Sequence, residues 1–388
     1  MHMADFDIDL FLRDYWQKRP LLIRNPWGQN PWGQNPGSQW RNPLEPDELA
    51  GLACEEGVES RLITSDAGRL AMESGPLPES RFGALGSGPW TLLVQAVDQH
   101  APDVAALIEP FRFVPDWRID DVMVSYATDG GGVGPHYDQY DVFLVQGLGR
   151  RRWRVGPKCD ADTPLLPHDD LRLIADFDAT GDWVLEPGDI LYVPPCYAHD
   201  GVAVGSDCMT YSIGFRAPSR AELLEGWCEH QADAMTDEDR YADPDLMQQA
   251  NPGEITAPAL DRLHAMVLDA LADRDGFARW FGLYNSLPKY AEADWRPEEP
   301  IGKAAVQALI EEGAPLSRNP ASRFAFIRQG ETVLLFVDGH CHECTGDAAA
   351  VAQRLCAETV LEDVPAAPTV VTLIEALVDQ GSLAFEED

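Results

Sequence analysis

The stretch Leu185-Glu186-Pro187-Gly188-Asp189-Ile190-Leu191-Tyr192-Val193-Pro194-Pro195-Cys196-Tyr197-Ala198-His199 holds, in order, a Pro-Gly turn, a short apolar run, a Pro-Pro stop and a histidine. A brief apolar run fenced by turn residues is the unit of antiparallel sheets, and its neighbours repeat it. Residues 122–126, 141–146, 151–155, 183–185, 190–193 and 209–215 are apolar or alternating, and residues 130–134, 147–149 and 186–189 between them are rich in Gly and Pro. From residue 120 to 215 this texture predicts an antiparallel sandwich or barrel.

Working outward, Phe6, Leu10, Phe11 and Trp16 stand near helical spacing within residues 5–23, ahead of Pro20 and the run Leu21-Leu22-Ile23. A short helix and then a strand are expected. Pro26-Trp27-Gly28-Gln29-Asn30 is duplicated as Pro31-Trp32-Gly33-Gln34-Asn35. Two units are too few for a repeat architecture, so the pair reads as a duplication tolerated in a surface loop, or as an aromatic docking loop for a peptide. After Pro218, residues 221–235 and 259–272 have helical composition and flank an acidic, Pro-containing stretch at 236–258. Residues 300–388 mix predicted helices (303–312, 348–356, 370–380) with predicted strands (323–328, 332–337), a small α+β module of winged-helix-like character. The domain division expected is 1–217, 218–297 and 298–388.

Charge narrows the partners. The 388 residues carry 29 Lys+Arg against 65 Asp+Glu, a net charge of −36. Residues 218–388 hold 12 of those cations and 32 of the anions, so a winged helix there would lack the positive surface that a phosphate backbone needs. Such a field repels anionic lipid and nucleic acid and draws cationic partners, which favours a basic protein or peptide. No apolar run reaches membrane-spanning length, and the N-terminus lacks the basic and apolar regions of a secretory signal, so a cytoplasmic protein is expected. The eight cysteines are scattered over three hundred residues, unlike a disulfide framework, and reduced thiols are expected.

The chemistry begins at His136-Tyr137-Asp138. On an extended chain, i and i+2 share a face about 7 Å apart and can reach one ion together. The spacing alone is weak, because His168-Asp169-Asp170 offers it too. Context favours the first: Gly130-Gly131-Gly132-Val133-Gly134-Pro135 feeds His136 into a strand, whereas His168 follows Pro167 in a polar connection. His199, beyond the Pro-Pro stop, is available as a third ligand. Two imidazoles and one carboxylate form the facial triad of non-haem Fe(II) oxygenases, which leaves coordination positions open.

An acidic co-substrate would need a cation. If Leu148-Gly149 form a two-residue turn, Gln146 opposes Arg151 and Leu144 opposes Trp153, so Arg151 shares the metal-facing side while Arg150, Arg152 and Arg154 face out. A guanidinium so placed can grip a carboxylate with two hydrogen bonds. A three-residue turn would flip every face and leave four arginines along a solvated strand.

At this point the residues resemble a family. The stretch 130–156 with His136, Asp138 and Arg150-Arg151-Arg152-Trp153, together with 185–201 and Tyr15-Trp16-Gln17-Lys18-Arg19-Pro20-Leu21-Leu22-Ile23, is similar to the bacterial JmjC-type ribosomal oxygenases. The resemblance implies an α+β protein: a double-stranded β-helix (JmjC/cupin) catalytic core, a helical dimerisation region and a C-terminal winged helix. It implies Fe(II) on His136, Asp138 and His199, the carboxylate of 2-oxoglutarate on Arg151, and Ser125 and Tyr137 lining the pocket, with O2 as the second co-substrate. The implied activity is hydroxylation of the β-carbon of an arginine in large-subunit ribosomal protein sixteen, by a homodimer. A histidine target remains open, since related ribosomal oxygenases act on both. Two other classes compete: a metal-binding cupin without oxygenase activity, and an acidic scaffold with a vestigial site.

Three further features are weighed. His340-Cys341-His342-Glu343-Cys344 looks like half of a zinc site, but no second paired cluster exists, so a polar hairpin turn is expected. Cys196 and Cys208 lack the paired base of a nucleophile and read as packing residues. Trp153 and Trp183 read as core aromatics, while Tyr192 and Tyr211 fit either the core or the cavity.

Overall fold

A computed structural model of the chain describes Met3 and residues 6–27, 40–66, 68–86 and 88–386. The chain forms two compact units: Met1–Ala217 with Tyr290–Asp294 and Asn319–Ala321, and Pro218–Lys289 with Trp295–Arg318 and Ser322–Asp388. The first contains α1 (Ile8–Asp14), β1 (Leu21–Ile23), α2 (Pro46–Leu52), β2 (Ser60–Asp66), β3 (Arg69–Ser74), α3 (Glu79–Gly83), β4 (Trp90–Val94), α4 (Pro102–Ala105), β5 (Ile119–Ala127), β6 (Asp141–Lys158), β7 (Gly181–Leu185), β8 (Ile190–Val193) and β9 (Tyr197–Phe215). Its sheet runs β1-β8-β6-β9-β5-β4-β2-β3, all antiparallel, with β7 added on β6.

The expected hairpin at Leu148-Gly149 does not exist. Residues 141–146 and 151–155 are two halves of the single 18-residue strand β6, paired along its length with the 19-residue β9. The register slips between Gln146 and Leu148 and again between Leu148 and Arg150. Gly149 sits there with φ +56, and a Cβ on it would stand 2.6 Å from the Asp207 carbonyl oxygen. The first half of β6 carries β8 on its free edge; the second half carries β7. One pair of long strands therefore joins two parts of a single sheet, a larger one carrying β1, β8, β5, β4, β2 and β3 and a smaller one carrying β7, hereafter the two sheets. The bulges also reverse the side-chain phase, as a two-residue turn would have done, so the even residues Val142 and Leu144 share one cluster with the odd residues Trp153 and Val155.

Alternation on β9 separates the two faces of the larger sheet. Met209, Tyr211, Ile213 and Phe215 join Phe143, Val145, Val122, Val124, Ile190 and Tyr192 in the main core, packed with Phe11, Leu107 and Phe111 from the helical segments. The other face carries Cys208, Thr210, Ser212 and Gly214, opposite Ala127, Ser125 and Met123 of β5. Bulk on one face closes a core, and small or polar residues line the other. Tyr192 and Tyr211 accordingly belong to the core and do not line the cavity: the Tyr192 hydroxyl donates to Asp141 at 2.6 Å, and that of Tyr211 to Asn42 at 2.9 Å.

The segment before α2 is pinned to the turn between β7 and β8. Asp189 accepts from Arg24, from the Asn25 amide at 3.0 Å and from the Glu186 amide at 2.9 Å, and the Trp27 indole donates to the Gly188 carbonyl at 2.8 Å. Trp27, the first tryptophan of the duplicated sequence, is thus a core residue. Residues 28–35 of the duplication lie outside the described residues.

The second unit begins with α5 (Arg220–Ala234), α6 (Ala257–Leu271) and α7 (Arg274–Asn285), the last unforeseen in the sequence. Then come α8 (Lys303–Glu312), β10 (Leu316–Arg318), β11 (Phe324–Gln329), β12 (Thr332–Val337), β13 (His340–Cys344), α9 (Gly346–Ala357), β14 (Val360–Leu361), α10 (Pro368–Asp379) and β15 (Leu383–Phe385). Two three-stranded sheets, β14-β10-β15 and β11-β12-β13, surround a core built largely from α9, α10 and β12. His340–Cys344, expected as a turn, is the third strand of the latter sheet; the turn is the preceding Asp338-Gly339, where both residues have positive φ.

Phe143 is fully buried and touches the rings of Phe11, Phe111, Phe113, Tyr192 and Phe215. Phe143→Ala should lower the stability of the first unit by about 3–5 kcal/mol, read as a lower denaturant midpoint with the slope unchanged.

Candidate metal centre

Histidine spacing becomes geometry where the loop before β6 folds back on β9. His136 and His199 form an antiparallel bridge, their amides and carbonyls exchanging hydrogen bonds of 3.0 and 2.8 Å. The bridge sets the two imidazoles 4.3 Å apart, centroid to centroid. Each Nδ1 lies against a carbonyl: His136 against Gly134 at 2.8 Å and His199 against Tyr197 at 2.9 Å. A carbonyl can only accept, so both Nδ1 atoms carry the proton and both Nε2 lone pairs are left for a ligand. Those Nε2 atoms stand 3.9 and 3.6 Å from one carboxylate oxygen of Asp138. The Asp138 backbone is held in turn by the Cys196 amide, which donates to its carbonyl at 2.6 Å.

All the ligand-bearing atoms of His136, Asp138 and His199 lie within 4.8 Å of one another, the only such His/Cys/Asp/Glu group among the described residues. Burial, reinforced by the neighbouring His136, holds the His199 pKa down to about 4 despite the opposing pull of Asp138. The imidazole is therefore neutral near pH 7, as a metal ligand must be. His168 is employed otherwise: its Nε2 faces the Leu70 carbonyl at 3.0 Å, and its Nδ1 accepts from the Asp170 and Leu171 amides at 3.1 Å each. The second His-x-Asp match is a loop clip.

Arg151 is buried in the interior that the two sheets share, paired in register with Leu185 and Ala203. Its Nε reaches only the Cys208 sulfur, at 3.4 Å, and its Nη2 is buried with no partner. Arg152, pointing the other way, pairs with Asp182 at 2.5 Å, and Arg154 pairs with the buried Asp200. A buried guanidinium with an unsatisfied N–H and no carboxylate partner is costly by itself and fits an incoming carboxylate. Two residues on, Trp153 places its ring 5.8 Å from the guanidinium carbon and 5.9 Å from the His199 ring. Ser125 is buried on the small-residue face, its hydroxyl donating to the Thr210 carbonyl at 3.4 Å, and Thr210 donates to Gln146 at 3.1 Å. Tyr137 packs with Cys159, Ile174 and Ala198, and its hydroxyl donates to the Asp160 carbonyl at 3.1 Å, outside the metal cluster. Tyr140, not singled out in the sequence, has its hydroxyl pKa raised by burial and by the charge of Asp138. The signal for the pocket floor was present in the sequence as the strict small/large alternation of residues 208–215.

Residues 106–223 match the JmjC domain family, and residues 269–384 match the ROXA-like winged helix. The chain is 38% identical to the Escherichia coli (strain K12) ribosomal protein uL16 3-hydroxylase over 383 residues, 97% of each chain. It is 39% identical over 279 residues to a probable ribosomal oxygenase of Haemophilus influenzae, covering 70% of this chain and 66% of that one. Among solved structures, the X-ray structure of E. coli ycfD superposes with a TM-score of 0.87 at 35% identity, each chain fully covered. A structure of the same E. coli ribosomal oxygenase in complex with cobalt and 2-oxoglutarate gives 0.85 at 35% identity, again with both chains fully covered. A JmjC double-stranded β-helix followed in the sequence by a winged-helix module, matched end to end by such relatives, makes this chain a member of the JmjC-domain ribosomal oxygenases.

Proposed function

We infer that the protein is an Fe(II)- and 2-oxoglutarate-dependent oxygenase that hydroxylates the β-carbon of an arginine in ribosomal protein uL16. The observation that carries the reading is the pairing of an open His-Asp-His cluster with a buried, unneutralised arginine in one interior. A cupin that merely binds metal has no use for that cation, and a vestigial site would not keep all three ligands and both imidazole orientations. The relatives' names and the cobalt and 2-oxoglutarate complex point the same way.

When bound, Fe(II) supplies the oxidising chemistry, coupling reduction of O2 to decarboxylation of 2-oxoglutarate to succinate. The chain's own residues do the rest. His136, Asp138 and His199 hold the metal from one side. Arg151 grips the far carboxylate and fixes which way the acid lies, with Ser125 on the same floor. The apolar residues Val142, Leu144, Val155, Leu185 and Leu191 exclude water from this interior. Substrate enters an acidic protein, which suits a basic ribosomal chain through long-range attraction. The same charge disfavours direct binding of nucleic acid. Among the described residues no helix is long and apolar enough to cross a membrane; a ribosomal substrate supports the reading of a cytoplasmic enzyme.

We further propose the division into a catalytic part at 1–217, a dimerisation region at 218–297 and the winged helix at 298–388. Helix α6 supports the second: Leu260, Leu263 and Val267 recur at helical spacing, all exposed, and no residue of the helix is buried. An apolar stripe left exposed among the described residues is suited to a second copy. Size-exclusion chromatography with light scattering should return a dimer at micromolar concentration, and Leu263→Glu should shift it to monomer.

The activity is tested by loading the full chain with Fe(II) without oxygen, then adding O2 and 2-oxoglutarate with or without uL16. Succinate release stimulated by uL16, with the mass of one oxygen gained on an arginine, is expected. Oxygen on a histidine would move the target and keep the enzyme class; no succinate from metal-loaded protein would return the cupin reading. Arg151→Met should raise the KM for 2-oxoglutarate about a hundredfold, the scale of a broken buried charge pair, with metal affinity no weaker than wild type. Equal co-substrate dependence in the variant would remove Arg151 from the site.

A further inference from the structure

Two successive inward positions on β6 each leave a buried N–H without an acceptor: Arg151 Nη2 and Trp153 Nε1. A third unpartnered atom, Thr91 Oγ1, lies on the small-residue face, opposite Ala127 across β4 and β5. A buried donor left unpaired costs about 1–3 kcal/mol, so two in succession call for a shared acceptor. Were Trp153 only a core filler, phenylalanine or leucine would fill the space with no donor to strand.

The ring's placement narrows what that acceptor is. Gly201 stands opposite Trp153 in register, and a Cβ there would come within 2.6 Å of the outer carbons of the six-membered ring. Glycine lets the indole lie across β9 by that edge, so the edge carrying Nε1 faces away from the strand. The ring then stands between the guanidinium that grips one end of the acid and the His199 imidazole at the metal. An acid running from Arg151 to the metal must pass it.

We propose that Trp153 is a co-substrate-positioning residue whose indole N–H donates to an oxygen of the dicarboxylate that Arg151 holds. The inference rests on the oxygenase reading above. It gives the acid a second, uncharged contact next to the guanidinium, which fixes its rotation about its long axis where a single arginine fixes only one end.

The test uses the full chain loaded with Zn(II), which binds the ligand set without turnover, and titrates 2-oxoglutarate by calorimetry. Trp153→Phe keeps the ring over Gly201 and removes the donor. Affinity for 2-oxoglutarate should fall about tenfold or more, as for one hydrogen bond to a charged acceptor, while Zn(II) affinity stays at the wild-type value and the thermal midpoint of the acid-free protein does not fall. In the 15N spectrum of the wild-type protein, the Trp153 indole resonance should move downfield on adding the acid and become protected from solvent exchange. Wild-type protein that binds no 2-oxoglutarate overturns the oxygenase reading and this inference together. Wild-type binding matched by Trp153→Phe overturns this inference alone. If the variant does not fold, the indole resonance decides, and one that ignores the acid overturns the proposal.

Discussion

The antiparallel pairing of β6 with β9 is the constraint on which the site depends. Both strands are long enough to serve two sheets, and both change course where the register slips, at residues 146–150 of one and 204–210 of the other. Gly149 and Asp207, each with positive φ, accept the backbone conformations this bend requires. Past the bend, Arg151, Trp153 and Val155 stand opposite Ala203, Gly201 and His199. The cation, the indole and one metal ligand are therefore set by one hydrogen-bonded ladder. His136 is added to the same ladder by its bridge to His199, and Asp138 by the Cys196 amide. A site on a rigid ladder holds its spacing far better than one hung from independent loops.

The ladder also assigns stability and chemistry to opposite faces. Outward from β9 project Met209, Tyr211, Ile213 and Phe215, which complete an aromatic-rich core with Phe11, Phe111, Phe143 and Tyr192. Inward project Cys208, Thr210, Ser212 and Gly214, small or polar residues on the face that also holds Ser125. Burial of Asp141 shows the same division at the mouth of β6. Its carboxyl pKa is raised by desolvation, yet Gln17, Tyr192 and Arg118 surround it with hydrogen bonds and charge, so the strand that leads from the metal loop starts from a fixed point.

Much of this was legible in the chain. His136 and Asp138 followed from i, i+2 geometry and from a Gly-rich lead-in that His168 lacks, and His199 from its place after the Pro-Pro stop; the three lie together. The inward Arg151 was reached through a hairpin that is not there: a two-residue turn and this bulge both invert the phase of the side chains, and local sequence cannot tell them apart because Gly147 and Gly149 suit either. The start of β9 was placed too late because Gly205-Ser206-Asp207 interrupts its alternation, although the backbone resumes pairing on both sides. Strands β2 and β3 were not read at all, since the mixed polar and apolar run at 60–74 has no clear period without knowledge of which face is covered; β4, the short run Trp90–Val94, was passed over as well. His340–Cys344 looked like a turn from its polarity and is a strand because β12 beside it supplies the ladder.

Charge explains why a protein so rich in carboxylates leaves one arginine unpaired in its interior. Asp138 is the only carboxylate among the three ligands, so a divalent cation would leave the cluster with one net positive charge. Arg151 adds a second, with no acid beside it to cancel it. Two separated positive charges in a poorly hydrated interior repel each other and are costly until neutralised. A short dicarboxylate cancels both at once, one end on each, and a monocarboxylate of the same length cannot. Selectivity for the co-substrate thus comes from a charge deficit built into the empty fold. A carboxylate of the chain placed next to Arg151 would neutralise that charge in advance and so weaken the protein's hold on the acid.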